Sequence, residues 1–446
     1  MRKLSKYLLL ILILIVLFLI AKYVINNQET IHSSHQSGFY PEPFRLALTT
    51  DKENIIRYTF DGSDPTNESP IFSDPILITG QESNDFLSCI NPTRPDSLGW
   101  LLPFSGQDNA TIIKYIALDK NGIICSKIKT LSFFIGLNKK PKKKLFFINS
   151  SCIPKYKLPV ISISTNKENL FDPEKGIYVS GNDFNHKDQI SGNYYKRGKA
   201  YERKVFFQYF TVEGKLDFEL NIGMRIHGGI TRKNPQKSLK FYARDEYSKE
   251  KINLSFLSNE GVNRFILESF RESGSSQALI EDITAQEIVK KLGLTQQKCK
   301  PVIVFINGEY WGIYNLRDRL DEDFLAYKFN LHKDSFDIID GNPTRGYEII
   351  HGSNIDYVEL MNFIKNNNID NDINYKEILK RIDIENLIDY YSVEMFFANY
   401  DWPVHNVKLF RKRNNKWKFM LYDLDGGFTS SEQDHSFNMF ERICKE

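Results

Sequence analysis

The residues with the clearest chemical potential lie in one stretch near the C-terminus, NYDWPVHNVKLFRKRNNKWKFMLYDLDGGF. It carries Asp401, then Asn406 five residues on, and later Asp423 and Asp425 just ahead of Gly426-Gly427. Carboxylates and an amide grouped in this way suit transfer of a phosphoryl group from a nucleotide. That chemistry needs one carboxylate beside the acceptor hydroxyl, to orient it and take its proton. It also needs separate oxygen ligands that hold Mg²⁺ against the phosphates. Asp and Asn are common loop residues, so the spacing alone is weak. The competing explanation is that Asp401 caps a helix and that Asp423 and Asp425 sit in turns.

A second constellation lies upstream in RIHGGITRKNPQKSLKFYAR. Arg225 and His227 lead into Gly228-Gly229, and a strand is expected to begin near Gln236. A glycine-containing turn lets backbone N–H groups approach phosphates, and a lysine on the next strand can neutralise their charge. Lys237 and Lys240 are the candidates. At a period of two they face opposite sides of the strand, so at most one can enter a cleft. The alternative is an exposed hairpin with solvated lysines. Tyr310, Trp311 and Tyr314 are read as packing residues.

The elements that must position these groups follow from pattern. A helix from Ile384 to about Ala398 delivers the chain to Asp401, and a hairpin turning near Asn414-Asn415 returns it to Asp423. Another helix is expected around Tyr357–Lys365, and IEDITAQEIVKKLG reads as a helix stopped at Gly293. KPVIVFINGEYWGIYNLRDRL reads as two strands joined at Asn307-Gly308. Further upstream, short alternating segments between residues 38 and 136, broken by turn signals such as DGSDP and KNG, suggest a β-sandwich of about 100 residues. Asp61 and Asp64 are expected to form its turns. The lysine-rich run at 137–155 reads as a solvated linker.

The remaining composition narrows the context. Arg2, Lys3 and Lys6 precede an apolar run from Tyr7 to Ile25, followed by a polar spacer. That pattern predicts an uncleaved signal-anchor over residues 1–30, placing the bulk of the chain outside the cytoplasm; a cleaved signal would make it secreted. Across 446 residues the net charge is only +3, from 59 basic and 56 acidic side chains, which gives no reason to expect a nucleic-acid partner. The five cysteines form no metal or redox motif, leaving at most one bridge among Cys89, Cys125 and Cys152.

Four ordered stretches resemble the CotH kinase family, which includes spore-coat protein kinases. They are LPVISISTNKENLFDPEKGIYVSG, GMRIHGGITRKNPQKSLKFYAR, VFINGEYWGIYNLRDRLDEDFL, and ANYDWPVHNVKLFR with WKFMLYDLDGGF. The resemblance spans about residues 156–430, within a domain taken as 156–446. It implies an α+β, two-lobed, atypical protein-kinase-like fold that uses ATP and Mg²⁺ (or Mn²⁺). Carried over by position, Asp401 is the catalytic base, Asn406 a metal ligand, and Asp423 or Asp425 the main metal ligand. Lys237 is the first choice for the phosphates and Lys240 the second, with Arg225, Gly228 and Gly229 beside them. The chain departs from the family at Asp318 and Glu281-Asp282, where an altered ion pair is expected near the lysine. It also stops at Glu446, sooner after the aspartates than such domains usually do, as a truncated C-terminal lobe would. YTFDGSDP and the residues around it resemble the β-sandwich module at the C-terminus of chitobiases and hexosaminidases. The implied function is phosphorylation of a surface or coat protein. The alternative is a non-catalytic surface assembly or adhesion protein whose β-module contacts glycan or protein.

Overall fold

The structure is a computed structural model, which describes residues 29–80, 109–136, 157–185, 187–188, 190–254, 256–257, 261–269, 280–342, 346–427 and 438–445. The apolar N-terminal run, the lysine-rich stretch, Cys89 and Cys152 lie outside the described residues. Among the described residues no helix is long and apolar enough to cross a membrane. Cys125, Cys299 and Cys444 are free thiols.

The first unit is all β. Its strands are β1 (Ile31–Ser33), β2 (Gly38–Tyr40), β3 (Phe44–Leu46), β4 (Leu48–Thr50), β5 (Ile55–Thr59), β6 (Ile76–Ile78), β7 (Ala110–Leu118) and β8 (Lys129–Ile135). They form a four-stranded sheet, β2-β8-β7-β5, and two ribbons, β1-β4 and β3-β6. Part of the segment expected as a spacer is therefore strand β1. Asp61 does shape its turn, accepting from Ser63 N at 3.0 Å, whereas Asp64 pairs with the buried ammonium of Lys114 at 2.8 Å.

Every residue of β7 is buried, although its sequence alternates. One face (Ile113, Tyr115, Ala117) packs into the module's own core. The other (Ala110, Ile112), with Phe134 of β8, packs on Val160, Phe210, Ile303 and Phe305 of the next unit. What alternation marks as the outer face is covered by a neighbour.

That neighbour is a closed barrel. In chain order its strands are β9 (Val160–Ser164), β10 (Arg203–Phe210), β11 (Leu216–Ile226), β12 (Leu239–Tyr242) and β13 (Arg264–Glu268). After the short strand β14 (Thr295–Gln296), which belongs to another sheet, come β15 (Cys299–Ile306) and β16 (Glu309–Asp318). The barrel order is β10-β11-β12-β13-β16-β15-β9, closed by the antiparallel pairing of β9 with β10. Asn307 and Gly308, both at positive φ, make the tight turn between β15 and β16. Trp311 and Tyr314 fill the interior, as expected of packing residues.

The last unit carries a five-stranded sheet, β14-β20-β19-β17-β18, with β17 (Phe336–Asn342), β18 (Gly346–His351), β19 (Lys408–Lys412) and β20 (Lys418–Leu421). Helices Ile355–Asn366, Asp372–Arg381 and Ile384–Phe396 share a core with Trp402, Trp417 and Phe419. Aspartate and asparagine caps start the second and third of these helices: Asn371 accepts from Ile373 N and Asp383 from Asn386 N. The chain is thus mixed α and β with an all-β N-terminal module.

Candidate functional site

The helix Ile384–Phe396 ends where Ala398 takes φ 51°, which turns the chain into the Asp401 loop. Trp402 anchors that loop in the core, and Asn406, at φ 61°, releases it into β19. The β19–β20 hairpin, registered Lys408↔Met420, brings the chain back to Asp423. The two loops then touch through backbone: Tyr400 N donates to Gly426 O at 3.1 Å. A Cβ on Gly426 would lie 2.5 Å from Asn399 Oδ1 and 3.3 Å from Asp401 N, so only glycine permits this approach. The hairpin thus brings the Asp423–Asp425 loop against the backbone of the Asp401 loop.

Glu268 and Glu394, which sequence reasoning missed, and Asp282, noted there as a departure from the family, add further carboxylates to this region. Burial pushes the Asp423 carboxyl well above the usual range, and Asp425, Glu268 and Asp282 add to the shift. Glu268, at the end of β13, is raised to about 7 by burial, against the pull of Arg317. Arg317 on β16 bonds Glu268 Oε2 at 2.6 Å through Nε, and Asp282 Oδ2 through a second guanidinium nitrogen. Glu394, on the helix beneath the Asp401 loop, is raised to about 8 by burial. Its Oε2 accepts from Asn399 Nδ2 at 2.8 Å. The available signal was modest: a charged side chain inside an otherwise apolar strand or helix, as in RFILE, IYNLRD and YYSVEMFF.

The basic residues separate into two groups. Lys237 is fully buried, donates to Arg232 O at 2.5 Å and Asn234 O at 2.9 Å, and sits 4.1 Å from the Tyr194 ring. Burial drives its ammonium well below the usual lysine range. Its Nζ closes the Gly228–Gln236 segment from inside. Arg225 is likewise engaged, at 2.6 Å from Glu202 and 4.5 Å over Tyr242. Gly228, at φ 105°, holds a backbone shape other residues resist, and its carbonyl accepts from Arg232 Nε at 2.6 Å; Gly229 is exposed.

Lys240 differs. It stands half-buried on β12, lowered to about 7 by burial and then by Arg319, Arg232, Lys408 and Arg225. Among the described residues it has no hydrogen-bond or ion-pair partner. Lys408 bridges this cationic group to the acidic loop, at 3.2 Å from Asp340 and 4.8 Å over the ring of Tyr422, the neighbour of Asp423. Neither lysine joins the pair expected near Asp318. That pair is Arg317–Asp282, while Asp318 is buried and accepts from Lys298 N at 2.9 Å.

Asp423, Asp425 and the amide oxygen of Asn406 are hard oxygen donors of the kind Mg²⁺ takes. Two carboxylates close enough to raise one another's proton affinity are relieved by a cation. Among the described residues no group of three or more His, Cys, Asp or Glu is arranged to hold a metal. A Mg²⁺ ion commonly takes only one or two carboxylates and completes its shell with phosphate and water, so it would not need an all-protein cage.

No curated protein matches the chain. Residues 46–133 match a family described as Fn3 associated, so the β-module is an accessory domain of that description, and its chitobiase type is at most loosely supported. Residues 224–443, from β11 through the helix Met439–Lys445, are similar to the family described as CotH kinase protein.

Proposed function

We propose that this chain is an atypical protein kinase that faces away from the cytoplasm and transfers the γ-phosphoryl group of ATP to a hydroxyl of a surface or coat protein. The observation that carries this is the backbone contact between the Asp401 loop and the Asp423–Asp425 loop, with Lys408 of the Lys240 cation group over the ring of Tyr422. Asp401 is half-exposed at the loop, where an acceptor hydroxyl can reach its carboxylate. It orients that hydroxyl and takes its proton as the oxygen bonds to the γ-phosphorus and the bond to the β-phosphate oxygen breaks, releasing ADP. Asn406, Asp423 and Asp425 would hold a divalent ion, Mg²⁺ or Mn²⁺, which neutralises phosphate charge. Lys240 takes the phosphate role in preference to Lys237, because its ammonium is uncommitted. The outward location follows from the basic-then-apolar N-terminus.

The test is transfer of labelled phosphate from ATP by the wild type beside Asp401→Ala and Asp423→Ala. Labelling that falls at least about a hundredfold in both variants is expected, as for loss of a base or an electrostatic stabiliser. Equal labelling in all three, or no nucleotide-dependent thermal shift in the wild type, would overturn catalysis. The surface-assembly role, with glycan or protein contacted by the β-module, would then stand.

A further inference from the structure

The peptide unit joining Asp423 to Leu424 is gripped from both sides. Its N–H donates to Asp282 Oδ1 at 2.6 Å, and its carbonyl accepts from Asn399 Nδ2 at 3.2 Å. In a trans peptide these two groups point in opposite directions, so the two side chains fix the peptide plane between them. Both grips are deeply buried, Asp282 being 4% exposed and Asn399 0%. Each is itself tied down. Asp282 also accepts from Gln286 Nε2 at 2.7 Å and bonds Arg317 of the barrel, while Asn399 donates to Glu394 at 2.8 Å. The clamped peptide follows a residue at φ 61°, a left-handed conformation costly for any side chain but glycine.

We infer that Asp282 and Asn399 are positioning residues, forming a two-sided clamp that holds Asp423 in its left-handed conformation and so aims its carboxylate. The clamp draws one jaw from the helix Glu281–Val289, braced on the barrel, and the other from the Asp401 loop. Asp423 can therefore point correctly only when barrel and helical unit are apposed. Neither jaw touches substrate. Helix propensity and packing would be met by many residues at these positions, but a buried acceptor facing an N–H and a buried donor facing a C=O would not. The significance of the clamp for catalysis rests on the kinase proposal; its existence does not.

The experiment uses the full chain and three variants, Asp282→Ala, Asp282→Asn and Asn399→Ala, with two readouts. Hydrogen exchange of the Leu424 amide is followed without metal, and Mn²⁺ affinity is titrated calorimetrically. Asp282→Ala should strip protection from Leu424, and both alanine variants should weaken Mn²⁺ binding about 10–100-fold, the usual cost of losing a group that orients a ligand. Asp282→Asn keeps an oxygen facing the N–H and should retain most of that protection and affinity, which separates aiming from general unfolding. Wild type that fails to bind Mn²⁺ would overturn the kinase proposal while leaving the exchange result to judge the clamp. Unchanged Leu424 protection in Asp282→Ala, or Mn²⁺ affinity equal to wild type in both alanine variants, would overturn the clamp.

Discussion

The barrel meets its two neighbours in opposite ways. Toward the β-module the contact is largely apolar and aromatic: Phe134 lies 5.1 Å from Phe305 and 5.2 Å from Phe210, and buried Ser132 hydrogen-bonds both Ser162 and Gln208 across it. Toward the helical unit it is ionic, built on Arg317, Glu268 and Asp282 with an uncommitted Lys240 nearby. A close-packed apolar contact has one good arrangement and loses energy steeply on any shift. A cleft of buried charge can be rebalanced by a proton, an ion or a phosphate. The module is thus a fixed part of the scaffold, and adjustment is confined to the other end.

The largest effect should come from breaking the apolar side. Phe134→Ala removes a fully buried ring from the cluster between module and barrel and should cost about 3–5 kcal/mol. Chemical denaturation should show module and barrel losing stability together in one transition. Two separated transitions, with the barrel's unchanged, would mean that the module hangs on the barrel instead of bracing it.

The sequence was most legible where function and local pattern coincide. The hairpin that returns Asp423 to the Asp401 loop could be read because both strands and their turn lie within a short span, and turn chemistry at Asn414 marked it. Lys237 and Lys240 do differ in surroundings, but Lys237 precedes β12 (Leu239–Tyr242), so strand alternation does not set its direction. Which side was the cleft depended on Tyr178 and Tyr194, distant residues that enclose Lys237. Glu268, Asp282 and Arg317 come from three separate elements and meet only after the barrel closes, so no local window contains them. The same holds for β7, whose second face is apolar in context because Val160 and Phe305 cover it. The helix Asp372–Arg381 was missed for a different reason: it is largely polar and buries only Ile378.

A smaller effect tests the cationic half of the ionic end. With Lys240 lowered to about 7, it is mostly charged at pH 6 and mostly neutral at pH 8 in the free protein. A bound polyphosphate favours the ammonium, so above pH 7 binding must take up a proton. ATP affinity should therefore fall by up to about tenfold from pH 6 to pH 8 beyond the nucleotide's own titration. Lys240→Met should bind more weakly and lose that extra dependence, because the nucleotide's titration is common to both proteins. Parallel affinity–pH curves, measured by calorimetry, would remove Lys240 from the phosphates and leave the ionic end without its cationic half.

The last test concerns Glu394, and its sign distinguishes a buried acid from a paired one. Burial raises this carboxyl to about 8, so the folded protein holds a proton there at pH 7 while the unfolded chain, ionising near about 4.3, does not. Stability from this group is complete below about pH 4 and is lost progressively as pH rises toward 8, with no further change above. Glu394→Gln imitates the protonated form and keeps an oxygen for Asn399 Nδ2, so it should match the wild type near pH 4 and become the more stable protein as pH rises. Urea denaturation across that range measures the divergence. If Glu394 were instead ionised and held by its hydrogen bond, the glutamine variant would be the less stable one at neutral pH. The Asn399 jaw would then be braced by a charge.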